Sequence, residues 1–135
     1  MTPEQIALVQ ASSTRLAPHL ASTSVAFYER FFAADPQARA LFPQDMAAQQ
    51  RKFIEGLRAI VAAVSDFPAF AVRTAELGEL HQLHRVKAEH YATAGVVLLG
   101  LLAEVDEAHW TPELAQAWAT AYDLVAESMM LAGRS

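Results

Sequence analysis

Between Phe53 and Val64 the apolar side chains Phe53, Ile54, Leu57, Ile60, Val61 and Val64 follow one another at steps of three and four. That is the spacing of one face of an α-helix. The same rhythm returns from about Thr23 to Ala34 with Val25, Phe27, Tyr28, Phe31 and Phe32. It returns from about Ala88 to Val105 with Tyr91, Val96, Val97, Leu98, Leu101 and Leu102, and after Thr111 with Leu114, Trp118, Tyr122, Val125 and Met129. A chain patterned in this way hides its apolar stripes by packing helix on helix. The 28 alanines, spread along the whole chain, favour helix throughout. There are only 5 glycines and no Asn-Gly or Asp-Gly pair to mark a hairpin.

Stop and start signals divide this pattern into elements. Thr2 caps a first helix, with Pro3 in its first turn and Gln5 placed to complete a capping box; Ile6, Val9 and Leu16 give its stripe and Pro18 marks its end. Asp35-Pro36 starts a short turn of helix that ends at Leu41-Phe42-Pro43. A helix from about Met46 to Val64 stops at Ser65-Asp66-Phe67-Pro68, and another runs on to about Arg85 with Phe70, Leu77, Leu80, His81 and His84. Thr111-Pro112-Glu113 caps the last helix. The expectation is an all-α protein of six main helices plus a short one, in one domain over residues 1–135. Heptad regularity is absent, which favours angled packing over a parallel bundle.

Composition excludes several functions. The formal charge is −5 with basic residues scattered, unlike the basic stripe that a nucleic-acid surface needs. With no cysteine there are no disulfides, thiolate zinc sites, iron–sulfur clusters or cysteine nucleophiles. No apolar run approaches the ~20 residues of a membrane span. Met1-Thr2-Pro3-Glu4-Gln5 carries neither a basic region nor an apolar one, so no signal peptide is expected and the cytoplasm is the expected compartment.

Three polar residues stand on apolar stripes that a helical core does not require to carry them. His81 lies four residues after Leu77 on such a face, where a neutral imidazole is a good iron ligand. Spacing alone does not separate this from a core histidine donating to a backbone carbonyl. His84, three residues on, suggests a shared metal, but zinc wants a third protein ligand and none stands at a recognisable spacing. His19, His90 and His109 are expected at helix ends or on the surface. Tyr28 sits in an aromatic cluster, and its phenol needs a partner; Gln49, four residues before Phe53 and on its face, is placed to supply one. Together Tyr28 and Gln49 would also suit donation to a bound diatomic molecule.

The stretch from Leu77 through His81, Val86 and His90-Tyr91 to Gly95 resembles the proximal region of globins. In that family the iron-ligating histidine stands five residues before a valine, which His81 satisfies and His84 does not. Phe27 to Pro36, and on through Leu41-Phe42-Pro43, resembles the globin second helix and the corner after it, with Phe42 at the position that packs on haem. Gln49-Gln50-Arg51-Lys52-Phe53 is similar to the distal helix, and Trp118-Ala119-Thr120-Ala121-Tyr122 continues the likeness into the last helix. A distal Tyr with a distal Gln is the pairing of single-domain bacterial haemoglobins and of the globin domain of flavohaemoglobins.

The resemblance implies a globin fold around haem b, with His81 as metal ligand and cofactor contacts from Phe42, Lys52, Phe53, Leu77, His81, Val86 and Tyr91. It implies Tyr28, Gln49 and Tyr91 as the catalytic set, and oxygen, nitric oxide or carbon monoxide as ligands. The expected function is gas binding, with conversion of nitric oxide and oxygen to nitrate given an external reductase. Non-enzymatic gas or sulfide storage and scavenging, or a haem-free scaffold, are the alternatives. A monomer or weak homodimer is expected, with no nucleic-acid or membrane partner. Two departures from the family pattern bear on this. The position of a last-helix Glu that completes the proximal set falls on Gly133, and Phe53 stands where Leu is common. The flavin and nicotinamide domains of flavohaemoglobins are not part of this sequence, hence the expectation of a separate reductase.

Overall fold

The computed structural model describes residues 1–64 and 88–134. The helix expected to end near Arg85 lies outside them, and so do Leu77, His81, His84 and Val86. Among the described residues there are five α-helices, α1 (Pro3–Leu16), α2 (Leu20–Ala34), α3 (Ala47–Ala63), α4 (Ala88–Val105) and α5 (Pro112–Arg134), with short 3-10 turns at Ala17–His19, Pro36–Leu41 and Glu107–His109.

The local signals act as the sequence implies. Thr2 Oγ1 accepts from the Gln5 amide at 3.1 Å while Gln5 Oε1 accepts from the Thr2 amide at 2.9 Å, a complete capping box. The Leu114 amide donates to Thr111 Oγ1 at 3.1 Å, which caps α5 ahead of Pro112. Helix α2 begins at Leu20, three residues before the expected Thr23. Pro18 ends α1 in a 3-10 turn, and the chain re-enters helix at once. The Ser22 and Thr23 hydroxyls donate back to the His19 carbonyl at 3.0 and 2.7 Å, so Thr23 sits inside the first turn instead of capping it.

Packing joins elements distant in the chain: α1 lies on α5, while α2 is held between α3 and α4. The core runs through Val9, Leu16, Leu20, Phe27, Phe31, Leu57, Leu98, Leu101, Leu102, Leu114 and Trp118. In the α4–α5 contact Gly95 faces Tyr122. A Cβ at Gly95 would stand 2.6 Å from Tyr122 Cε1, which explains a glycine in mid-helix. No helix of the described residues is long and apolar enough to cross a membrane.

Candidate functional site

Helix α2 places Phe27, Tyr28, Phe31 and Phe32 so that Tyr28 and Phe31 are buried and Phe32 is half-buried. Helix α3 brings Gln49 and Phe53 to the same place, and the turn after Leu41 brings Phe42. Phe53 stacks on Phe27 with centroids 4.7 Å apart. Tyr28 meets Phe27, Phe42 and Phe53 edge-on at 5.0, 5.7 and 6.0 Å. Such edge-to-face contacts orient a ring as well as bury it.

Inside this aromatic frame Gln49 Nε2 donates to Tyr28 Oη at 3.2 Å. A phenol carries one proton and can also accept. Because Gln49 acts as donor here, the phenol's own proton remains available, and among the described residues no acceptor takes it. Burial pushes the Tyr28 phenol up, while the Gln49 hydrogen bond draws it partway back, so at neutral pH the group is a protonated donor. The site therefore pairs an apolar aromatic wall with a single oriented O–H.

Tyr91 belongs to a different set of contacts. It is buried near the start of α4, and its carbonyl accepts from Tyr122 Oη at 2.5 Å. Burial pushes the Tyr91 phenol up to about 12 and raises Tyr122 further, so both are neutral across the physiological range. Lys52 lies exposed on α3. The structure thus gathers Tyr28, Gln49, Phe42 and Phe53 at one place and sets Tyr91 in the α4–α5 contact; His81, Leu77 and Val86 fall outside the described residues.

Three polar features were not legible in the sequence: Asp106, Arg39 and the burial of His90. Asp106 is buried between helices, where it accepts from Arg15 Nε and Nη2 at 2.7 and 2.8 Å and from Ser12 Oγ at 2.7 Å; Trp118 Nε1 donates in turn to Ser12 at 3.0 Å. Arg39 grips the backbone after the 3-10 turn, with Nη1 donating to the Phe42 and Pro43 carbonyls at 3.2 and 2.9 Å. His90, expected at a helix end or on the surface, does stand in the first turn of α4 but is buried there, with Nε2 3.5 Å from Asp35 Oδ2. The reason is tertiary: α4 packs along α2, which brings its first turn to the end of that helix. His19 and His109 are exposed.

The globin family model matches residues 25–129. The flavohemoprotein of Bordetella pertussis is 34% identical over 137 residues, covering 99% of this chain and 34% of that protein. The chain thus spans about a third of the length of the flavohemoproteins it matches. Leghemoglobin 3 of Sesbania rostrata is 29% identical, with 90% of each chain covered. Among solved structures, a bacterial globin from Campylobacter jejuni superposes with a TM-score of 0.87 at 18% identity, covering 98% of this chain and 96% of that one. An engineered carbene transferase from Rhodothermus marinus, described as a candidate nitric oxide dioxygenase, superposes at 0.83 with 27% identity and coverage of 94% and 89%.

Proposed function

The chain belongs to the globin family, and on that premise we propose that it is a haem protein that binds oxygen and other diatomic gases, with His81 as the protein ligand to the iron. The described residues fit such a group. Phe42 and Phe53 pack against the core yet are only partly buried, which leaves apolar ring surface for a flat macrocycle. The protonated Tyr28 phenol, held by Gln49 at 3.2 Å, adds one directed donor beside that apolar wall. This donor is the observation that carries the reading, because a haem-free scaffold has no use for an oriented O–H in an aromatic pocket.

Haem b, when bound, would supply an iron able to take a gas ligand. Phe42 and Phe53 wall the pocket and exclude water. Lys52 supplies a cation for the carboxylates at the cofactor's edge. Tyr28 donates to the ligand, and Gln49 fixes the direction of that donation. By resemblance to the family, Leu77, Val86 and Tyr91 would add to the cofactor's contacts. The relatives named flavohemoprotein, and the structure described as a candidate nitric oxide dioxygenase, support the finer reading that oxygen and nitric oxide are converted to nitrate with electrons from a reductase. Gly133 at the last-helix Glu position favours gas binding or scavenging as the second reading, since the family's proximal acidic group is then missing.

The test is the absorption spectrum of the haem-reconstituted protein beside His81→Ala and His84→Ala. Loss of the normal Soret band and its carbon monoxide shift in His81→Ala alone is the expected result. If the wild type takes up no haem, the reading is wrong and the scaffold takes its place; if it takes up haem and neither substitution matters, His81 is not the iron ligand. Rapid mixing of the oxygenated protein with nitric oxide, followed by nitrate analysis, separates turnover from binding.

A further inference from the structure

The segment that carries Phe42 has little regular structure of its own. After the 3-10 turn Pro36–Leu41, Phe42 is extended at φ −122° and ψ 155°, and α3 begins only at Ala47. Its carbonyls are gathered by one side chain. Arg39 Nη1 donates to the Phe42 and Pro43 carbonyls at 3.2 and 2.9 Å, and Nη2 donates to the Gln44 carbonyl at 3.3 Å. The same guanidinium lies over the Phe32 ring, 5.2 Å from its centroid. Phe32 in turn stands 5.4 Å from Phe42 and 5.8 Å from Tyr28. Arg39 therefore touches both the backbone that carries Phe42 and the ring on which Phe42 and Tyr28 lean.

We infer that Arg39 is a positioning residue of the gas site: by gripping residues 42–44 and stacking on Phe32 it holds Phe42 against Tyr28, and so governs haem retention and the direction of the Tyr28 hydroxyl. The planar fork of a guanidinium can serve several acceptors in one geometry, which a lysine ammonium on its flexible stem cannot. The other arginines with described partners are engaged differently, Arg15 with Asp106 and Arg30 with Glu104. Those pairs join helices, whereas Arg39 organises a stretch between them. The inference rests on the haem reading, and the experiment below separates its failure from failure of that reading.

Arg39→Met and Arg39→Lys are compared with wild type in the full chain. Three readouts are taken: haem transfer to excess apomyoglobin, the C–O stretching band of the ferrous carbonyl form, and amide exchange at residues 42–46 of the haem-free chain. Arg39→Met, which keeps an apolar stem on Phe32 but donates to no carbonyl, is expected to lose haem about tenfold faster, as the loss of one to two net hydrogen bonds implies. It should also split or shift the C–O band and speed exchange at 42–46. Arg39→Lys should show the same changes to a smaller degree, and it carries the test if the methionine variant loses its helices. A lower melting midpoint with an unmoved C–O band and unchanged haem transfer means a merely structural role and overturns the inference. If wild type takes up no haem the haem reading falls, and the inference falls with it; unchanged exchange at 42–46 would then remove the clamp itself.

Discussion

At the scale of single residues the decisive arrangement is a phenol whose partner is a donor. Tyr28 accepts from Gln49 Nε2 at 3.2 Å, so its proton is left for a ligand. Replacing Tyr28 by Phe keeps the ring contacts to Phe27, Phe42 and Phe53 and removes the hydroxyl, both its proton and the acceptor that holds Gln49. In the haem-reconstituted protein, oxygen should then dissociate about fivefold faster, the factor expected for one hydrogen bond of ~1 kcal/mol. Stopped-flow displacement of oxygen by carbon monoxide measures this directly, and an unchanged off-rate would remove Tyr28 from the mechanism. That Tyr28 and Gln49 meet was legible, because each stands on the apolar face of its own helix and a buried phenol needs a partner. Which of the two donates was not legible, because it depends on how α2 and α3 are set against each other.

At the scale of elements, the approach of α4 to α5 is set by a glycine. A methyl at position 95 would stand 2.6 Å from a ring carbon of Tyr122, whose hydroxyl is tied to the Tyr91 carbonyl. A ring bound at its far end cannot step aside without giving up that hydrogen bond. Gly95→Ala should therefore destabilise the fold by about 1–3 kcal/mol even though alanine is the better helix former. Urea unfolding followed by circular dichroism would show it; a neutral or stabilising result would mean that α4 can shift along α5 without cost. The sequence placed a glycine within a strongly helical stretch, but nothing in that stretch named the side chain it must admit.

For the molecule as a whole, one buried carboxylate ties the end of α4 to α1, and Ser12 carries that link on to α5. Asp106, after α4, takes bonds from Arg15 and Ser12 of α1, and Ser12 accepts from Trp118 of α5. Hydrogen bonds from Arg15 hold the Asp106 carboxyl below the usual carboxylate range, and Ser12 adds to the effect, against the opposing pull of burial. A carboxyl whose folded value lies below its unfolded value of about 3.9 stabilises fully above that pH. The contribution is lost as pH falls through the folded value. Asp106→Asn should cost about 1–2 kcal/mol at pH 7 by weakening the charge-assisted hydrogen bonds from Arg15 and Ser12. Below about pH 4 the gap between variant and wild type should narrow. Urea titrations at pH 7 and pH 3 measure both arms; a gap of equal size at the two pH values would show that the carboxylate's charge is not what matters.

The sequence by itself determined the five described helices, the Thr2 and Thr111 caps and most of the buried stripes, because those depend on contacts three or four positions apart and on the chemistry of single residues. Val25 and Val96, counted on the stripes of α2 and α4, are exposed, because no neighbouring helix covers them among the described residues. It also put Tyr28 and Gln49 on buried faces and pointed to a haem-binding fold by resemblance. Tertiary structure alone decided how polar groups are satisfied. Ser12 and Asp106 are 94 residues apart and Ser12 and Trp118 are 106 apart, so no local pattern could pair them. His90 is buried because α4 lies along α2, and Arg39 finds backbone carbonyls, which every residue carries and no sequence motif marks. Periodicity records which surface a helix hides; which partner waits there is settled only when the helices meet.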